Sequence, residues 1–337
     1  MAHTATKRFS YWGQLGILLA LTGAGAIVGG IASFLPLLGK IDFSNLTSLT
    51  AKGLMDIIMN PDNANAVRLM QFISTLFLFF LPAWFYAKLC HNKAVPHLGF
   101  IKTPSIKQLI LVFAVMFFAL FIVGALAEVW QQIPFPKNWQ LKFKAAEAEY
   151  NKQMQVMARM NGVRDYLISL TIVALLPAMF EELFFRGALQ NLFSRWFKKP
   201  VWAIVITAII FSAIHGSYDG FVPRFVLGFI LGWLFYRTGN IWINIAAHFI
   251  NNAIGITVLY YYSKPGAATD LSKIDDHFPI WMGLVGIAGV VGLLYAFDKV
   301  SKDEIIRPGQ ETLLPGYINP NNPFIAEVDD IGNQNQA

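Results

Sequence analysis

Apolar stretches of near bilayer-crossing length determine what this chain can fold into. A transmembrane helix needs about 20 predominantly apolar residues, and eight stretches of the sequence approach or exceed that length. Lipid offers the backbone no hydrogen bonds, so a crossing segment must satisfy its own polar groups, as a helix does. The sequence therefore predicts an all-α, polytopic bundle of about eight transmembrane helices: Phe9–Gly39, Leu69–Ala87, Gln108–Ala127, Tyr166–Phe193, Pro200–Tyr218, Phe221–Tyr236, Asn240–Tyr262 and Phe278–Phe297.

Composition supports this interpretation and excludes two kinds of site. Charged residues make up 14% of the chain and hydrophobic residues 55%, whereas a soluble domain carries about 25% charged residues. The net charge of +6 comes from basic residues at the ends of apolar stretches, so it does not indicate a nucleic-acid partner. A single cysteine, Cys90, excludes an intramolecular disulfide and a cysteine-rich metal site.

The positions of lysine and arginine predict the orientation in the membrane. Cytoplasmic loops carry an excess of these residues, and five basic groups, one of them Arg195, Lys198 and Lys199, share a side if both termini are cytoplasmic. The mixed-charge loop after the third stretch is the exception. We read the first stretch as a retained helix, because it is too long for a signal-peptide core. The expected location is the bacterial plasma membrane, with the N- and C-termini in the cytoplasm.

Four regions follow from this pattern. They are the N-terminal membrane helices with a connecting amphipathic segment (1–163), a membrane core of four stretches (164–263), the last transmembrane helix (264–300) and a polar, irregular cytoplasmic tail (301–337). A polar loop is expected at Lys40–Arg68, and a surface amphipathic helix within Trp130–Arg164. No internal repeat is visible, which argues against an inverted-repeat transporter.

Charged side chains interrupt the fourth stretch in LLPAMFEELFFRGALQNLF. Glu181, Glu182 and Arg186 lie there among apolar residues, and each charge at mid-depth in lipid costs at least about 2.5–3.5 kcal/mol. Arg186 is one turn from Glu182 and can neutralise one carboxylate but not both. Adjacent helical residues point about 100° apart. We therefore expect one glutamate to be structural and the other to be free for chemistry.

Further polar residues lie at a matching depth in the fifth and seventh stretches. A lone histidine near a helix end, such as His215, is more often an interfacial residue than a catalyst. Asn244, His248 and Asn252 form a stripe at i, i+4 and i+8, for which interhelical hydrogen bonding is the simplest explanation. Counting about 1.5 Å per residue from the predicted cytoplasmic ends places Glu181, His215 and Asn252 about 20–22 Å deep, with His248 one turn nearer the cytoplasm. A shared buried site is the better interpretation.

Three short patterns in this region resemble the motifs of a known family. They are Glu-Glu-x-x-x-Arg in EELFFR, Phe-x-x-x-His in FSAIH and His-x-x-x-Asn in HFINN, each in its own hydrophobic stretch. In this order they resemble the CPBP family, the CAAX-protease and bacteriocin-processing (ABI) intramembrane endopeptidases. The resemblance covers about Asp165 to Tyr262 and implies that 164–263 is a catalytic membrane core. It also implies peptide-bond hydrolysis within the membrane.

Amide hydrolysis needs an activated water, an oxyanion site and a proton for the leaving amine. We expect Glu181 to be the general base and His215 to hold the same water. His248 and Asn252 would stabilise the oxyanion, and Glu182 with Arg186 would form a supporting ion pair. No Gly-x-Ser-x-Gly pattern or cysteine accompanies these residues, so a covalent mechanism is unsupported.

The sequence leaves several alternatives open. We prefer a mechanism without a cofactor, but Glu181, His215 and His248 would also suit zinc, and family members are often called metalloproteases. The polypeptide substrate would be a prenylated C-terminus, a bacteriocin leader or a membrane-protein tail. A proton-coupled transporter or a non-catalytic immunity or scaffold protein could use the same polar residues. The oligomeric state cannot be read from the sequence.

Overall fold

The computed structural model describes residues 9–44, 50–262 and 278–305, and these residues form helices without any strand. The predicted all-α bundle is confirmed. In chain order the helices are α1 (Tyr11–Ala32), α2 (Ala51–Ile58), α3 (Pro61–Cys90), α4 (Ile106–Gln131), α5 (Lys137–Ala158), α6 (Val163–Phe197), α7 (Pro200–Ile214), α8 (Phe221–Thr238), α9 (Ile241–Tyr262) and α10 (Ile280–Ile305).

Six helical segments are long and apolar enough to cross a membrane: Tyr11–Lys40, Pro61–Cys90, Ile106–Gln131, Val163–Phe197, Ile241–Tyr262 and Ile280–Ser301. Helix α7 is apolar but shorter, and α8 is not among the six, so the count of eight spans stays a prediction. Large apolar side chains are exposed on the outer helices, among them Trp12, Ile31, Phe113, Val291 and Tyr295. Lipid is the solvent that suits such a surface. The chain is an integral membrane protein.

Two apolar cores lie on either side of the α6–α9 group. The first joins α1 and α3 to α6 around Leu18, Tyr86 and Phe185. The second joins α4 and α10 to α8 and α9 around Val115 and Phe297. The outer helices therefore hold the central ones from both sides and fix their relative depth.

Small residues let α1 approach α3 closely. A Cβ atom added to Gly25 would overlap the carbonyl oxygen of Phe77, and one added to Gly29 would overlap the Phe77 side chain. Close backbone approach of this kind replaces the hydrophobic driving force, which is absent between helices in lipid.

Helix α5 confirms the helix expected within Trp130–Arg164 and covers one end of the central group. The Glu147 carboxylate accepts hydrogen bonds from the Ser217 hydroxyl at 3.2 Å and the Asp219 backbone N–H at 3.4 Å. At the C-terminal end of α5, Arg68 of α3 donates to the Met157 carbonyl at 3.1 Å and to the Arg159 carbonyl. The segment is therefore tied to the bundle near its middle and at its C-terminal end.

Two boundaries differ from the sequence predictions. The fifth stretch ends as a helix at Ile214 rather than Tyr218, because Gly216 takes a left-handed conformation with φ 66°. The expected loop Lys40–Arg68 contains α2 and the first turns of α3.

Two arginines assigned to loops are inside the bundle. Arg68 is 1% exposed and Arg195 is 6% exposed. Arg195 hydrogen-bonds Asn191 at 2.9 Å and Gln14 at 3.2 Å, so it is an internal polar link rather than a loop charge. Residues 306–337 of the predicted tail lie outside the described residues. So do residues 264–277 of the region predicted to hold the last transmembrane helix, 264–300.

Candidate active site

Unusual helix geometry positions the paired glutamates. Glu181 and Glu182 end a short α-helical segment, Leu176–Glu182, between two π-helical segments, Leu170–Leu175 and Leu183–Gln190. Pro177 lacks an N–H and its ring crowds the preceding turn, which suits the wider π-helical turn before it. Such π-helical turns are frequent at functional sites. The backbone is thus irregular on both sides of the carboxylates.

Glu182 is completely buried and fully engaged. Its Oε1 accepts from Arg186 Nη1 at 2.7 Å and lies 2.8 Å from His248 Nδ1. Its Oε2 accepts from Asn244 Nδ2 at 3.3 Å. Three polar groups from two helices therefore hold this carboxylate, as expected for the structural member of the pair.

The partners of Glu182 are themselves anchored. Arg186 donates from Nη2 to the Gly228 carbonyl at 3.0 Å, and Asn244 donates to the Leu231 carbonyl at 2.6 Å. Both carbonyls belong to α8. The network thus joins α6, α8 and α9 at one depth, and every residue in it is buried.

Glu181 is buried but not engaged. Glu181 is 7% exposed, and its Oε2 atom is buried without a hydrogen-bond partner. The neighbouring polar group is His248 Nε2, 3.8 Å from Oε2, which is beyond hydrogen-bonding distance. A buried carboxylate oxygen without a donor is costly, so this atom is available to a substrate or a water molecule.

The two histidines are oriented by contacts through Nδ1. In His248 this nitrogen faces Glu182, which turns Nε2 towards Glu181. In His215 it lies 2.7 Å from the Phe211 carbonyl oxygen, which requires the proton on Nδ1 and leaves the lone pair on Nε2. Both rings therefore have their second nitrogen free for chemistry.

Phe211, the first residue of the Phe-x-x-x-His pattern, packs against both histidines and Arg186. Its ring centroid lies 4.9 Å from that of His215 and 5.8 Å from that of His248. The Arg186 guanidinium lies over the same ring at 4.9 Å. The phenylalanine therefore sets the spacing between the two imidazoles.

A cavity of about 70 Å³ opens beside these residues. Its polar lining comes from His215, His248, Asn251, Asn252 and Arg224. A void of this size with several polar walls can hold water. Of the four residues predicted at a common depth, His215, His248 and Asn252 line this cavity. Glu181 does not line it, but its Oε2 lies 3.8 Å from His248 Nε2.

Asn252 has the weakest contacts of the site residues. Its Nδ2 donates to the Ala174 carbonyl at 3.4 Å, and its Oδ1 accepts from Asn251 at 3.3 Å. Asn251, which precedes Asn252 in the chain, lines the same cavity. The roles assigned to all these residues stay predictions.

Two residues of the site were not predicted from the sequence. Asn244 was noted only as part of a polar stripe, yet it binds Glu182. Arg224, within the sixth stretch Phe221–Tyr236, was given no role, yet it lines the cavity. Its presence within an apolar stretch was itself a signal, because ionisable residues in such stretches mark functional sites by default.

The zinc alternative can be compared with this geometry. Within residues 9–44, 50–262 and 278–305, no three His, Cys, Asp or Glu side chains form a group that could hold a metal ion. In this conformation Glu181, His215 and His248 are not grouped as a zinc ligand set, and zinc dependence stays a prediction.

Comparison with known proteins agrees with the resemblance found from the motifs. Residues 163–254 match the family described as type II CAAX prenyl endopeptidase Rce1-like, which confirms the recognition of the CPBP family. These residues include all three motifs.

Two proteins of Bacillus subtilis (strain 168) are similar to this chain, and both are described as uncharacterized. YyaK is 29% identical over 140 residues, 37% of this chain and 46% of YyaK. YpbD is 33% identical over 86 residues, 24% of this chain and 41% of YpbD. Each match thus spans less than half of the relative. No solved structure matches the chain.

Proposed function

We propose, from the match of residues 163–254 to the Rce1-like CAAX prenyl endopeptidase family, that this protein is an intramembrane endopeptidase. The observation that carries the proposal is the buried, unpartnered Oε2 of Glu181, beside the free nitrogen of His248. A carboxylate in that state is a base without a competing partner. Its neighbour Glu182 holds the surrounding side chains in place.

Water activation is assigned to Glu181 and His215. Glu181 takes a proton from a water molecule, while His215 Nε2 accepts the other water hydrogen and orients it. The resulting hydroxide attacks the scissile carbonyl carbon.

Oxyanion stabilisation is assigned to His248 and Asn252. With a proton on each ring nitrogen, His248 donates Nδ1–H to Glu182 and keeps Nε2–H for the developing oxyanion. The Asn252 amide exchanges its long contact with the Ala174 carbonyl for the same oxygen. The proton held by Glu181 then passes to the leaving amine, which completes the hydrolysis.

The substrate is proposed to be a membrane-associated polypeptide. The family description favours a prenylated C-terminus, whereas bacteriocin leaders and membrane-protein tails are the other candidates. The location proposed is the bacterial plasma membrane, with both termini in the cytoplasm.

Activity and metal content should be measured together on detergent-purified protein with a peptide library. We expect cleavage that is lost in Glu181→Gln and that does not depend on added or bound zinc. Stoichiometric zinc, lost with activity in both His215→Ala and His248→Ala, would replace this mechanism with a metalloprotease. Proton-dependent flux in proteoliposomes without any cleavage would favour the transporter alternative.

A further inference from the structure

Arg224 of α8 lines the active-site cavity and carries an unused hydrogen-bond donor. Its Nη2 donates to the Tyr150 hydroxyl of α5 at 2.7 Å, and its guanidinium lies over the Tyr150 ring at 5.1 Å. Its Nη1 is buried and has no hydrogen-bond partner. The same side chain lines the cavity with His215 and His248.

Other internal arginines of the described residues are satisfied differently. Arg186 is paired with Glu182 at 2.7 Å, and Arg237, at the opposite end of α8, with Asp298 at 2.8 Å. None of the ion pairs among the described residues includes Arg224. Its positive charge beside the cavity is therefore not neutralised by a protein carboxylate.

An unsatisfied charged donor in such a place needs an explanation. Leaving a buried donor unpaired costs free energy, and the cost is larger for a charged group. A guanidinium is matched in shape to a carboxylate, which it binds through two parallel hydrogen bonds. The missing partner is thus expected to be an anionic group that enters the cavity.

We propose that Arg224 binds the C-terminal carboxylate of the substrate and thereby selects chain ends. This inference rests on the proposed peptidase function. The cavity of about 70 Å³ leaves little space beyond the histidines, so the group that reaches Arg224 is attached close to the scissile bond. A terminal carboxylate on a short leaving segment meets that condition, whereas a chain passing through the cavity does not.

Two neighbours keep the guanidinium in this position. The Tyr150 hydroxyl holds Nη2, which directs the remaining donors to the cavity. Gly220 lies directly beneath the guanidinium, and a Cβ atom there would overlap Nη1. Tyr150 and Gly220 are therefore positioning residues for Arg224, and Gly220→Ala should displace the guanidinium without removing its charge.

Binding to the inactive Glu181→Gln protein tests the proposal independently of cleavage. The probes are three forms of one prenylated CAAX-type peptide: a free C-terminal carboxylate, a C-terminal amide, and an amide with a terminal aspartate side chain. We expect the free acid to bind about 10- to 100-fold more tightly than the plain amide. The third probe separates a terminal carboxylate from a side-chain carboxylate.

Adding Arg224→Gln or Gly220→Ala should abolish the preference for the acid and leave binding of the plain amide unchanged. Arg224→Lys should keep part of the preference, because it retains the charge but not the fork. Arg237→Gln is the matched control, since it removes the same charge from the same helix away from the cavity and should keep the preference. Each variant's melting temperature shows whether it is folded.

Equal binding of acid and plain amide, no binding of either, or a preference that survives Arg224→Gln would overturn the inference. Tighter binding of the aspartyl amide than of the free acid would also overturn it, because the carboxylate would then come from a side chain. The proposed function fails separately: cleavage by Glu181→Gln would overturn the mechanism whatever the binding result.

Discussion

Glu181 and Glu182 are adjacent in sequence, yet their surroundings are opposite. Glu182 receives three polar partners from two helices, whereas one Glu181 oxygen is buried with none. Adjacent helical side chains diverge by about 100°, so one peptide step separates a carboxylate held in a hydrogen-bond network from one with an unpartnered oxygen. Two adjacent like charges in an apolar helix can therefore have different roles, one structural and one chemical.

Glu181→Gln should give the largest effect, and it tests the role of Glu181, the carboxylate with an unpartnered oxygen. Turnover is expected to fall by about 10²–10⁴-fold, because the general base is lost. The melting temperature should change little, since the amide replaces a carboxylate that holds no partner at Oε2. Both quantities are measured on the same detergent-purified protein.

Glu182→Gln is the matched control for that variant. It should lower the melting temperature clearly, because Arg186 then lacks its counter-charge. Near-normal turnover by Glu181→Gln, or equal melting temperatures of the two variants, would break the distinction between the residues.

Arg186→Ala tests the structural role of Glu182, the carboxylate that Arg186 pairs with. It leaves Glu182 buried without its ion-pair partner, and breaking a buried pair in this way costs about 3–5 kcal/mol. The free energy of unfolding should fall by that amount, and activity should fall with it. An unchanged melting temperature would contradict the assignment of the pair as a structural support.

Asn252→Ala tests a residue that lines the cavity and is proposed to stabilise the oxyanion. We expect turnover to fall by about 10²–10³-fold if its amide stabilises the oxyanion. Stability should change little, because its contact with the Ala174 carbonyl is long. A change in substrate affinity alone, with normal turnover, would assign Asn252 to substrate positioning instead.

The smallest effect is expected at Asp219, where α5 covers the cavity end of the bundle. Burial, and then the nearby Glu147 carboxylate, raises the pKa of Asp219 above its ordinary value of 3.8. The folded protein therefore binds this proton more tightly than the unfolded chain, so stability falls as the pH rises from 3.8 through the folded pKa. Melting temperatures of wild type and Asp219→Asn should diverge in this window, with the variant more stable at the higher pH. The Asp219 N–H bond to Glu147 survives in the variant, and parallel curves would contradict the prediction.

The sequence contained most of what sets the fold and the site. Apolar stretches located the helices, because lipid leaves a crossing backbone no other structure. Depth counting brought Glu181, His215 and His248 together, because helical rise is constant and the connection Lys198–Lys199 is short. Helix ends were less accessible: the conformation of Gly216 stops α7 just before His215.

Contacts between segments far apart in the chain could not be predicted. Glu147 and Asp219 meet across 72 positions of sequence, and Arg224 meets Tyr150 across 74. Neither pair has a periodic signature, since each depends on how α5 folds back over the bundle. The partners of Arg68 and Arg195 were hidden for the same reason, and both arginines were assigned to loops.

The π-helical segment Leu183–Gln190 has a consequence for engineering this protein. A π-helical turn contains an extra residue relative to an α-helical turn, so deleting one residue there can be absorbed by reversion to ordinary helix. Deletion after Arg186 would keep its pairing with Glu182, and the reversion would keep Arg195 directed towards Gln14. A deletion before Arg195 in the regular α-helical segment Asn191–Phe197 would instead rotate Arg195 by about 100° away from Gln14. The π-helical turn is thus the part of α6 that can lose a residue without changing the angular phase between the carboxylates and the far end of the helix.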